Sequence, residues 1–88
     1  MKLKEGFITH NSNGENIMVA VGDASYKFHG LVRSNKTGAF IIDCLKVERK
    51  EEQIVEEILM NFDASREVVK NDVQRIIEIL REIGAIYE

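Results

Sequence analysis

A single cysteine, Cys44, among 88 residues leaves no partner for an intrachain disulfide, a redox pair or a thiolate zinc site. A reducing cytoplasm is the compartment this predicts. No apolar run approaches the ~20 residues that span a bilayer, and Met1 to Gly6 is charged where a signal peptide would be apolar. No membrane partner is expected. Basic residues number 12 against 15 acidic ones, so the net charge of −3 provides no global field that draws the chain toward nucleic acid. The two histidines, His10 and His29, have no His or Cys at a metal-ligand spacing, and Gly38 lacks the glycine-rich context of a phosphate loop. Neither a metal nor a cofactor is expected. Asp43 and Asp72 have no nucleophile or oxyanion donor that the pattern places beside them, so the chain reads as a binding module and not as an enzyme.

What is present suits one folded domain over residues 1–88. Hydrophobic residues make up 44% and charged residues 31%, too apolar a balance for a disordered chain. A domain of this length buries roughly 60% of its unfolded surface, so its core is modest and a deep catalytic cavity would consume much of it. The class is α+β, with strands first and helical periodicity after Asn35. Phe7 to Asn11 and Glu15 to Val21 flank Asn13-Gly14, the pair that both positions of a type I′ hairpin turn favour. A third strand, about Tyr26 to Arg33, completes an antiparallel meander, and Gly30 within it marks a bulge or a close approach of another backbone.

Three helices follow. Asn35 caps the first, which runs to about Leu45 and is apolar on most sides. The second, Glu51 to about Asn61, opposes Ile54, Val55, Ile58 and Leu59 to Glu52, Glu56 and Glu57. Ser65 caps the third, and Gly84 stops it. Its i, i+3 charge pairs, Glu67 with Lys70, Asp72 with Arg75 and Glu78 with Arg81, describe a solvated face. Its apolar arc is wider than one neighbour requires, which fits either a helix packed between two elements or the wall of a groove. With Phe28, Leu31 and Val32 on an adjacent edge strand, such a groove would accept an extended peptide as an added strand.

From Gly30 to Ala39 the residues G-L-V-R-S-N-K-T-G-A resemble the entry to the first helix in PqqD-like proteins. Glu52, Ile54, Val55 and Leu59 resemble that family's second helix, and Asp72, Val73, Ile77, Leu80 and Gly84-Ala85-Ile86 its third helix and tail. The resemblance implies a winged-helix-like domain with a three-stranded N-terminal sheet followed by three helices, known as the RiPP precursor recognition element. It implies that the chain binds the leader of a ribosomally made precursor peptide and presents it to a modifying enzyme, typically a radical SAM protein, pyrroloquinoline quinone synthesis being one such setting. Carried over by position, the binding residues are Phe28, Leu31, Val32 and Arg33 on the third strand and Val69, Asp72, Val73 and Ile76 on the third helix. The competing reading from the same shape is a winged-helix DNA-binding regulator, against which the charge balance stands.

Overall fold

The computed structural model of the chain describes residues 1–22 and 31–88, with backbone alone at Ser12, Leu31 and Val32. Asn13 and Gly14 both adopt positive φ, 53° and 81°, which is the backbone of a type I′ turn. The turn sets the register of β2 (Phe7–Ser12) on β3 (Glu15–Ala20), from Ser12 opposite Glu15 to Phe7 opposite Ala20. Cross-strand partners share a face, so Phe7, Thr9 and Asn11 lie with Ala20, Met18 and Asn16. That is the core face, for Phe7 and Met18 are buried and Ala20 packs against the core. Ile17 and Val19 share the other, half-buried face, and Val21 lies beyond the strand, exposed.

β4 (Leu31–Ser34) pairs antiparallel with β3, giving a three-stranded sheet in the order β2-β3-β4. The strand extends one residue past Arg33 to Ser34, while the expected start at Tyr26, together with Phe28 and Gly30, lies outside the described residues. Two further strands were not legible in the pattern. β1 (Lys2–Leu3) pairs antiparallel with β5 (Ile86–Tyr87), Leu3 opposite Ile86, in a separate two-stranded sheet. Two residues are too few to show a period of two. Leu3 N–H also donates to the Leu45 carbonyl at 2.7 Å, which fixes the mini-sheet to the end of the first helix.

The helices begin and end where their caps are encoded. Asn35 Oδ1 accepts from the Gly38 N–H at 2.8 Å to start α1 (Lys36–Cys44). α2 spans Glu51–Asn61, where Lys50 N–H donates to Gln53 Oε1 at 2.8 Å. Ser65 Oγ accepts from the Val68 N–H at 3.3 Å to open α3 (Arg66–Glu82). At its far end Ile83 is the cap, Gly84 turns left-handed at φ 71°, and Gly84 and Ala85 N–H donate back to Arg81 and Leu80 carbonyls. This is a Schellman motif, with glycine at the one position where a side chain would strain the backbone. Met18, Ile41, Ile42, Leu45, Ile54, Ile58, Val69, Val73 and Leu80 form the fully buried centre, where the three helices meet the sheet. Among the described residues, no helix is long and apolar enough to cross a membrane.

Candidate peptide-binding groove

β4 is an edge. One of its sides is bonded to β3, and the other has no strand partner among the described residues. In an antiparallel edge strand alternate residues turn both N–H and C=O outward, so a four-residue strand offers about four unused backbone groups. Arg33 is exposed and stands opposite Ile17, while Leu31 and Val32 stand opposite Val19 and Met18. Phe28 lies outside the described residues.

The position of α3 relative to this edge follows from one glycine. A Cβ at Gly38 would lie 2.8 Å from Ser34 Cβ and 3.3 Å from Ile76 Cδ1, so α1 passes between the end of β4 and α3 with no room to spare. The opposite flank of α3 faces α2, where Arg66 reaches Glu56 at 2.6 Å. The flank beside Ile76 is therefore the one turned toward β4. Val69, Val73 and Ile76 are 1%, 0% and 3% exposed, all within the core cluster. Their arc is wide because α3 packs on both α1 and α2, and their side chains lie within the core. What α3 presents at the surface on that flank is a stripe at i, i+4 and i+7: Val68, exposed at 53%, then half-buried Asp72, then exposed Arg75. Asp72 and Arg75 are 3.9 Å apart, a loose pair open to competition from a ligand. Val68 and Arg75 were absent from the sequence-derived site, although the helical period places both beside Asp72.

Of the other two expected pairs, Glu78 and Arg81 meet at 2.8 Å, with Glu88 as a second partner for Arg81, whereas Glu67 and Lys70 do not meet. Hydrogen bonds to Glu88 and its charge raise the Arg81 pKa, and the hydrogen bonds and charge of Arg81 hold Glu88 below the usual carboxylate range. These are solvated structural pairs. Cys44 is buried, and its thiol donates to Glu57 Oε2 at 3.2 Å while Arg49 reaches Glu57 Oε1 at 2.6 Å. Burial, and then the hydrogen bond and charge of Glu57, push the thiol up to about 12. A thiol held in its protonated form is a weak nucleophile at neutral pH. Among the described residues, no group of three His, Cys, Asp or Glu side chains could hold a metal ion.

A family model described as Coenzyme PQQ synthesis protein D (PqqD) matches residues 15–86. Among solved structures, TbiB1 in complex with the TbiA(beta) leader peptide superposes with a TM-score of 0.73 at 16% identity, over 97% of this chain and 93% of that one. Lasso peptide synthetase B1 complexed with the leader peptide superposes with a TM-score of 0.71 at 14% identity, over 99% and 96%. No curated protein matches the chain with significance. The shared feature is the fold.

Proposed function

The chain belongs to the coenzyme PQQ synthesis protein D family, and from that membership and the geometry of β4 and α3 we propose that it binds the leader of a ribosomally made precursor peptide without catalysing a reaction. The single observation that carries the reading is an edge strand held beside an α3 flank by the close packing of Ser34, Gly38 and Ile76. The leader adds as a strand along Leu31, Val32 and Arg33, and its side chains meet Asp72 and the stripe around it; Phe28, outside the described residues, is proposed as a further contact. Val69, Val73 and Ile76 back that wall from the core. Support comes from the two solved structures of like fold, each of which holds a leader peptide. The receiving partner is a peptide-modifying enzyme of the radical SAM class, pyrroloquinoline quinone synthesis being one setting, and the cytoplasm is the location proposed.

Magnitudes show what decides affinity. About four edge hydrogen bonds worth ~0.5–1.5 kcal/mol each give roughly 2–6 kcal/mol, and ordering a free leader costs about 2–5 kcal/mol. These nearly cancel. Two buried apolar anchors at about 1.5–3 kcal/mol apiece then leave roughly 3–6 kcal/mol, which corresponds to binding in the millimolar to tens-of-micromolar range.

Titrating a leader peptide into isotope-labelled protein tests this directly. Amides of Leu31–Ser34 and of Val68, Asp72 and Arg75 are expected to shift together, while the Asn13-Gly14 turn stays still. Val32→Pro removes a donor and distorts the edge, so it weakens binding at least about tenfold more than Val32→Ala if that amide faces the peptide. Shifts confined to α2 or to the hairpin turn, with a folded Val32→Pro binding normally, would sink the strand-addition model. The winged-helix-like outline also fits a DNA regulator, but α2 is acidic and the α3 flank has no basic stripe.

A further inference from the structure

A second surface lies on the outer side of α1, away from α3. There an open cavity of about 300 Å³ is floored by Ala39, Phe40 and Phe62, with Thr9, Asn11 and Asn16 of the sheet's core face along one wall. Phe40 and Phe62 meet edge to face, centroids 5.3 Å apart and planes at 83°, so an incoming ring can extend the same arrangement. The volume sits at the lower limit of small-molecule sites, ~300–1,000 Å³, which suits one side chain and not a cofactor. Its charge is uneven. Asp43 at the rim is already held by Lys46 at 2.8 Å, whereas Lys36 has no ion-pair partner among the described residues. Lys36 also opens α1, whose first turn carries no acidic residue, so its charge adds to the positive end of the helix dipole. The lining includes Ser34, the last residue of β4, so the cavity begins where the edge strand ends.

We propose that this cavity is a docking seat for a partner protein, taking one aromatic or branched aliphatic side chain whose neighbouring carboxylate pairs with Lys36. Resting on the leader-binding reading, the partner is the enzyme that receives the leader. A presenting module must hold leader and enzyme at once, and this seat adjoins the groove without sharing its α3 wall.

The probe is the dipeptide acetyl-phenylalanyl-glutamyl amide, with acetyl-phenylalanyl-lysyl amide and acetyl-glycyl-glutamyl amide as controls, titrated into the full chain by NMR. Phe-Glu is expected to shift the amides of Asn16, Ile17, Lys36 and Phe40 at millimolar concentration, and to bind at least about threefold more tightly than either control. Ala39→Phe, which fills the cavity from the outer side of α1, abolishes those shifts, and Lys36→Glu reverses the preference between Phe-Glu and Phe-Lys. Leader affinity in both variants stays within about twofold. Equal shifts from all three dipeptides, shifts that survive in Ala39→Phe, or shifts centred on Leu31–Ser34 and α3 would overturn the proposal. A homodimer that Ala39→Phe dissociates would also overturn it, by making the occupant a second copy. The two readings fail separately: loss of leader binding with Phe-Glu binding intact removes the leader role alone, and the reverse removes the seat alone.

Discussion

Cys44 is where burial and chemistry are most tightly linked. Its folded pKa stands above the unfolded value near 9.0, at about 12, so the folded chain keeps a proton that the unfolded chain gives up. The associated stability is fully present below about pH 9 and is lost as pH rises toward 12. Between those limits urea unfolding of the native chain should show stability falling with pH more steeply than in Cys44→Ala. Alkylation by iodoacetamide at pH 8 is expected to follow the rate of opening instead of the rate of a free thiol. Rapid labelling of the folded chain, or identical pH slopes for the two proteins, would show that the thiol is accessible and ionises freely. Cys44→Ser is milder than an ordinary buried hydroxyl, because Glu57 stands ready as its acceptor, and a loss of about 1 kcal/mol is expected.

At the scale of elements, Gly38 joins three of them. Glycine to alanine inside a helix ordinarily stabilises by up to about 1 kcal/mol through propensity. Here the new methyl would meet Ser34 Cβ at 2.8 Å, an atom that cannot swing away without moving the end of β4. Overpacking costs about 1–3 kcal/mol, so Gly38→Ala should lower stability by roughly 1 kcal/mol in urea titration and weaken leader binding by displacing the edge from α3. A variant as stable as the native chain would mean that α1 and β4 are not so closely packed. The elements themselves were largely legible: Asn13-Gly14 set the hairpin, Asn35 and Ser65 started helices and Gly84 ended one, because each is a local choice of backbone conformation. Legibility failed where the cause is not local. β1 and β5 are held by tertiary pairing across the whole chain, and Val69, Val73 and Ile76 obey the same period whether a core or a ligand covers them. Periodicity marks an arc as covered without saying by what. The edge strand was readable in Leu31 to Arg33, whereas Val68 and Arg75 became visible only once the α2 side of α3 was known.

Over the whole molecule, charge separates the peptide reading from the nucleic-acid one. The chain carries −3 overall, α2 presents Glu51 and Glu52 in its first turn, and the cations of α3 at Arg75 and Arg81 have acidic neighbours. Each phosphate contact would release counterions and steepen the salt dependence, and on the third helix Arg66, Arg75 and Arg81 already stand against carboxylates. Fluorescence anisotropy with duplex DNA is therefore expected to show no binding tighter than about 10⁻⁵ M at physiological salt. Submicromolar, salt-sensitive association would restore the regulator reading.

The pairing of β1 with β5 also dictates how the described domain bears mechanical load. Lys2 stands opposite Tyr87 and Leu3 opposite Ile86, so Met1 and Glu88 leave the ladder at the same end. In an antiparallel pair the hydrogen bonds run across the strands. Tension applied between Met1 and Glu88 therefore pulls along those bonds and loads them one pair after another. The mini-sheet opens like a zipper, while the Leu3–Leu45 hydrogen bond and the Arg81–Glu88 ion pair carry the same pull directly to α1 and α3.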